Sequence, residues 1–386
     1  MTAAGDEMTR SRPRILGSHE GSRPGPLMIV VAALHGNEPA GVEAAERVLR
    51  RLATGAIPFR GRLVALVGNR TALAATERYV DCDLNRVWGP AIPAGAAPEA
   101  VEAREQAELA AAIEAEIAAG PANRRVILLD LHSTSADGAP FSILADTLRN
   151  RRIAMALPIP AILGLEENIE GTLLEWFCER GHAAVCVEGG RHGAPDTPAH
   201  HEAALWIVLA TVGLVAPADF PELDAHRRRL AAAAAGAPRV VEVTHRHAVD
   251  PDEPFTVEPG FLNFMPVDES TVLAHAGPDL IREIRPPFPG LLLMPRYQLK
   301  GDDGYFLAAR VHPFWLTLSA WLRRLHLETL LPLLPGVRRT GASRRSLDVN
   351  RRVARFLSTE LFHLFGYRRR REIGDVVRFT RRVERA

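Results

Sequence analysis

Three short stretches of this chain are apolar at almost every position, and each runs directly into polar residues of the kind that do chemistry. Leu27–Leu34 (LMIVVAAL) leads into His35-Gly-Asn-Glu38. Val126–Leu131 (VILLDL) leads into His132-Ser-Thr134, and Ala183–Val187 (AAVCV) into Glu188-Gly-Gly190. A strand with one wet face alternates apolar and polar residues. A continuous apolar run instead predicts a strand covered on both faces, the habit of parallel sheets. Arg62–Val67 reads as a further strand, and helical patterns cover Pro39–Leu52, Pro98–Ala119, Gly171–Arg180 and Pro198–Leu214. The alternation predicts an α/β fold over residues 27–216, with a mostly parallel or mixed sheet and helices on both faces. In such a sheet ligands gather outside the carboxyl ends of the strands, which is where the three polar clusters fall.

The flanking regions read differently. Residues 1–26 are polar and rich in Gly, Ser and Pro, and predict a flexible leader. A helix at Pro221–Ala235 fills a linker over 217–238. Short segments at Val240–Thr244, Thr271–Ala274, Gly290–Met294 and Tyr305–Ala309 then predict a small, mostly β domain over 239–311. From residue 312 to 386 the chain holds 17 arginines and 6 acidic residues. Phe314, Trp315, Leu318, Trp321, Leu322 and Leu325 recur there at helical spacing, as do Val349, Val353, Leu357, Leu361 and Leu364, ahead of Arg368–Arg371. This predicts a basic helical C-terminal extension packed on the body or on a second subunit of a homo-oligomer. Binding to an anionic membrane or to nucleic acid is the alternative. Lys300 is the only lysine, so the arginine richness reflects base composition and argues little for nucleic acid. Three cysteines (Cys82, Cys178, Cys186) without a C-x-x-C pair predict reduced thiols and a cytoplasmic protein. The first residues show no apolar signal segment, and the longest apolar run, Leu205–Ala216, is too short to span a bilayer.

The polar clusters carry the functional argument. Two histidines and a glutamate form a standard protein ligand set for catalytic zinc, with a position left open for water. His35 and Glu38, three residues apart on a loop entering a helix, can converge on one ion, and His132 is the distant third ligand. Asp130 either holds the second nitrogen of a ligand histidine or only caps its loop. Glu188, at the end of an apolar strand, is the candidate base; it could also merely bind glycine amides. In Glu77-Arg-Tyr-Val-Asp-Cys-Asp-Leu-Asn85-Arg86, Arg78 could stabilise a carbonyl oxygen, and Asn85 with Arg86 could grip a carboxylate. Taken singly, each arginine reads as a surface residue. His200 and His201 read as solvated, and His245 and His247 as exposed strand residues.

HGNE, RYVDCDLNR, DLHST and VEGG, in that order, resemble the succinylglutamate desuccinylase/aspartoacylase family of the zinc-carboxypeptidase superfamily. The resemblance spans roughly Leu27 to Arg310. It implies a zinc-carboxypeptidase-like fold and one Zn2+ held by His35, Glu38 and His132, with Glu188 as general base. It further implies Arg78 on the scissile carbonyl, Asn85 and Arg86 on the substrate's α-carboxylate, and Tyr305 in contact with substrate. The implied reaction is hydrolysis of the amide bond of a small-molecule N-acyl amino acid. Aspartoacylases carry one more arginine about ten residues before the catalytic glutamate. Here Thr172–Glu179 has none, and Arg191 or His192 is the nearest replacement. That absence predicts a preference for neutral side chains. The alternatives are a carboxypeptidase-like peptide hydrolase, which a β-rich domain packed over the rim would exclude, and a non-enzymatic binding protein acting through the basic extension.

Overall fold

The computed structural model describes residues 12–89, 100–250, 253–340, 345–350, 353 and 359–382. The first half holds β1 (Ile15–Glu20), β2 (Arg23–Ala32), α1 (Ala40–Ala53), β3 (Arg60–Val67), α2 (Arg70–Ala75), α3 (Val101–Ala118) and β4 (Val126–Thr134). Next come β5 (Phe141–Leu144), α4 (Leu148–Ala156), β6 (Ala161–Leu163), α5 (Leu173–Glu179), β7 (Ala183–Arg191), α6 (Thr197–Val212) and α7 (Leu223–Ala233). The β-rich region contributes β8 (Val240–Ala248), β9 (Phe255–Val257), β10 (Pro266–Val267), β11 (Ala274–Ala276), β12 (Arg282–Ile284), β13 (Gly290–Leu293) and β14 (Asp303–Arg310). The extension holds α8 (Pro313–Arg324), β15 (Val337–Thr340), β16 (Ser346–Asn350), α9 (Thr359–Leu364), β17 (Tyr367–Ile373) and β18 (Val376–Arg381).

The expected α/β architecture is present. Eleven strands form one mixed sheet in the order β1-β3-β2-β4-β7-β5-β6-β8-β14-β13-β10. Its centre, β3-β2-β4-β7, is parallel, and all nine residues of β4 are buried. Apolar side chains on the two faces form two separate cores, one under α1 and α6 and one under α3 and α5. Strand β5 pairs antiparallel with β7, so the sheet is mixed at its middle.

Three expectations are corrected. The leader reading for 1–26 fails over its described part: β1 pairs with β3, and Arg23 already belongs to β2, while 1–11 lie outside the described residues. The β-rich region is not walled off, because β8 pairs parallel with β6 and continues the main sheet across the expected boundary. The extension is not simply helical; after α8 it builds a four-stranded antiparallel sheet, β15-β16-β18-β17, with a core of its own.

Three of the extension's arginines, Arg323, Arg368 and Arg382, are buried against the body. Arg323, with its side chain fully buried, donates to Asp146 Oδ2 at 2.9 Å, as does Arg368 at 2.9 Å, and Arg382 pairs with Glu166 at 3.0 Å. Arg368 also pairs with Glu242. These three charges are paired with carboxylates of the body, whereas Arg324, Arg338, Arg339 and Arg345 are exposed. The aromatic stripe of α8 does not pack on the body: Phe314, Trp315, Trp321 and Leu325 are exposed on the single chain, and Leu357 of the second stripe lies outside the described residues.

Candidate active site

The carboxyl ends of β2, β4 and β7 bring the three clusters together. His132 and Glu188 are direct cross-strand partners in β4 and β7, and His35 and Glu38 lie on the turn between β2 and α1. Both histidines, Glu38 and Glu188 are buried. His35 Nδ1 lies 2.8 Å from Glu38 Oε1, and His132 Nδ1 lies 3.3 Å from Glu38 Oε2. Each histidine's other nitrogen meets a different carboxylate: His35 Nε2 is 3.0 Å from Asp83 Oδ1, and His132 Nε2 is 3.0 Å from Asp130 Oδ2. The Ser133 N–H donates to Glu38 Oε2 at 2.7 Å.

Electrostatics follow from this packing. Burial opposes the charge on Glu38, yet His35 and His132 hold its carboxyl well below the usual range. Burial opposes a charged His132 too, but Asp130 and Glu38 raise it well above an ordinary imidazole. Glu188 differs. Burial pushes it up to about 8, with Glu38 adding to the rise and His132 opposing it. Its Oε2 is buried without a hydrogen-bond partner.

The donor set fits a metal. Ligand atoms of His35, Glu38 and His132 lie within 4.8 Å of one another. Two imidazoles and a carboxylate, with each imidazole backed by a further carboxylate, are what a catalytic zinc ion takes. Asp130 therefore lies where it can orient a ligand. Asp83 does the same for His35, a role the sequence did not disclose because 48 residues separate the pair.

The Glu77–Arg86 loop covers the cluster. Arg78 Nη2 donates to Asp83 Oδ2 at 2.9 Å, and Nη1 comes within 3.7 Å of Glu38. Glu102 of α3 fastens the loop by accepting the N–H groups of Val80, Asp81 and Cys82 at 2.7, 3.0 and 3.2 Å. The Asn85 side-chain oxygen accepts the Leu173 N–H at 3.0 Å. Gly171 packs beside the same turn with φ +73°, and a Cβ there would lie 2.3 Å from the Arg86 carbonyl oxygen, so only glycine fits.

His35, Glu38, Arg78, Asn85, Arg86, His132 and Glu188 all line one cavity of about 150 Å³. Met294, Arg296, Gln298, Asp302, Asp303 and Phe306 of the β-rich region close it from the other side. Tyr305 is not among the lining residues. It is buried on the opposite face of β14, stacked on His247 at 4.9 Å between ring centroids, with its hydroxyl donating to the Arg285 carbonyl at 3.3 Å. Strand alternation gives the pocket to Phe306 instead. Of the proposed replacements for the missing arginine, Arg191 pairs with Asp137 away from the cavity, and His192 stands behind the cavity wall, its Nδ1 2.8 Å from Ser133 Oγ, without lining the cavity itself. His201 is buried rather than solvated, and burial lowers it to about 3.

Fold and site together define an α/β enzyme with a buried carboxylate–imidazole centre at the strand ends. The catalytic-domain description of the succinylglutamate desuccinylase/aspartoacylase family matches residues 24–202. A succinylglutamate desuccinylase of Burkholderia thailandensis is 32% identical over 270 residues, 65% of this chain and 70% of that protein. One of Burkholderia cenocepacia is 39% identical over 106 residues, 28% of this chain and 30% of its own length. Among solved structures, a succinylglutamate desuccinylase/aspartoacylase from Rhodobacter sphaeroides has the same fold. Its TM-score is 0.57 at 16% identity, covering 76% of this chain and 88% of its own. The ectoine utilization protein EutE (DoeB) from Ruegeria pomeroyi gives 0.53 at 19%, covering 75% and 87%. The chain belongs to the succinylglutamate desuccinylase/aspartoacylase family, whose members are deacylating hydrolases.

Proposed function

We propose that this chain is a zinc-dependent deacylase that hydrolyses the amide bond of an N-acyl amino acid or a similar small amide. The observation that carries the reading is the buried His35–Glu38–His132 donor set, with the unpartnered Glu188 carboxylate on the adjacent strand. His35, Glu38 and His132 would hold the ion, which supplies Lewis acidity to the carbonyl and to water. Glu188 takes the proton of the attacking water and passes it to the leaving nitrogen. Arg78 donates hydrogen bonds to the carbonyl oxygen as negative charge grows on it. Asp83 and Asp130 fix the orientation of the two imidazoles. The β-rich region closing the pocket favours small substrates over a peptide hydrolase's extended chains. Ile143, Leu165, Ile169 and Leu174 give the pocket an aliphatic side, which favours a neutral, apolar substrate group there. The test is acid release from a panel of N-acyl amino acids and amides by purified enzyme. Turnover of small aliphatic members is expected. Preference for peptides would overturn the reading, and preference for N-acetylaspartate would overturn its neutral, apolar substrate group.

A further inference from the structure

Arg86 is the side chain that would read a carboxylate on the leaving amino acid, and both its terminal nitrogens are already engaged, while its buried Nε has no partner. Its Nη2 donates to Asp303 Oδ2 at 2.8 Å and approaches Asp302 Oδ1 at 3.4 Å, while Nη1 donates to the Asn85 carbonyl at 3.0 Å. Both aspartates line the same cavity. They are fastened from behind by Arg246 of β8, which reaches Asp303 Oδ1 at 2.5 Å and Asp302 Oδ2 at 2.9 Å. Lys300 ties the same segment to Glu77 and, at 2.7 Å, to the Tyr79 carbonyl, on the loop that carries Arg86. The chain's own carboxylates thus stand where a substrate carboxylate would dock.

The other lining cations are engaged too. Arg78 holds Asp83, and Arg296 donates to the Gly301 carbonyl and lies over the Phe255 ring at 5.0 Å. A substrate carboxylate would have to displace Asp303 from Arg86 and then face that aspartate's charge at close range, where like charges repel strongly in a partly buried site. A neutral amide meets no such opposition.

We propose that Asp303, with Asp302, is a specificity-determining residue that occupies Arg86 and turns the enzyme toward small amides whose leaving amine carries no free α-carboxylate. This rests on the deacylase reading above. The test compares N-acyl leucine with N-acyl leucinamide, using the acyl group that the substrate panel favours, in the zinc-loaded enzyme. The wild type is expected to favour the carboxamide in kcat/KM for acid release. Asp303→Asn is expected to move the ratio toward the carboxylate by about tenfold or more, the size of one hydrogen bond to a charged group. Asp302→Asn, whose side chain is the more exposed at 41% against 17%, should move it the same way by less, and stands in if the first variant does not fold. A wild-type preference for the carboxylate, or a ratio unmoved in the variants, overturns the proposal and leaves the deacylase reading standing. A zinc-loaded wild type that turns over neither compound overturns the deacylase reading, and this proposal with it.

Discussion

Glu188 and Glu38 show how position assigns opposite roles to one residue type. Glu38 is held as an anion by two imidazoles and a backbone amide; Glu188 has burial and no donor on its Oε2. Replacing Glu188 with Gln should therefore keep the metal and lower kcat by about two to four orders of magnitude, whereas Glu38→Gln should lose metal. Metal content and turnover of the two variants check this together. In the wild type the base works only when deprotonated, so kcat/KM should rise with pH through the Glu188 titration. Burial sets that rise near 8, and the positive charge of a bound ion would pull it lower. At this scale the sequence disclosed that His35, Glu38, His132 and Glu188 gather in one cavity, because each stands at the end of an apolar strand. It could not disclose Asp83 beside His35, nor that Tyr305 points away from the pocket while Phe306 lines it, since both depend on how distant segments meet.

At the scale of elements, the long buried strands were legible and the short ones were not. β2, β4 and β7 are continuous apolar runs, but β5 and β6, at four and three residues, carry too little pattern to read. In the extension, spacing that suits a helix was drawn from β16 and α9 taken together, so two element types were merged into one period. The loop over the site has only a single 3-10 turn, Leu84–Arg86, of regular structure, and Glu102 fastens the part before it. Glu102→Ala should leave the N–H groups of Val80, Asp81 and Cys82 without their acceptor, at a cost of roughly 1–3 kcal/mol for each one that stays buried. Chemical denaturation should show the loss, and activity should fall further than metal content does, since Arg78 rides on that loop.

The whole molecule is built on the eleven-stranded mixed sheet, with a three-stranded sheet β12-β11-β9 and the extension's own four-stranded sheet beside it, and Asp146 ties the extension to the body. Burial alone would raise this carboxyl, but Arg151, Arg323 and Arg368 hold it well below the usual range. A carboxylate depressed on folding contributes stability that is complete above its unfolded value, near 4, and is lost as pH falls toward its folded one. Stability should therefore decline with acid, and Asp146→Asn should flatten that decline while costing about 3–5 kcal/mol at neutral pH, because it takes a carboxylate away from the buried Arg151 and Arg323. Denaturation midpoints between pH 7 and 3 read both effects. The extension's charge was visible in sequence, but the burial of Arg323, Arg368 and Arg382 was not, because composition does not say which arginines meet buried acids. The central claim concerns the site that the sheet assembles, and the most direct test is to strip the purified protein of metal and return zinc stepwise while following release of acid from its best N-acyl substrate. The account predicts almost no turnover without metal and full recovery at one equivalent per chain. Full turnover by the metal-free protein, or no recovery with zinc, would contradict it.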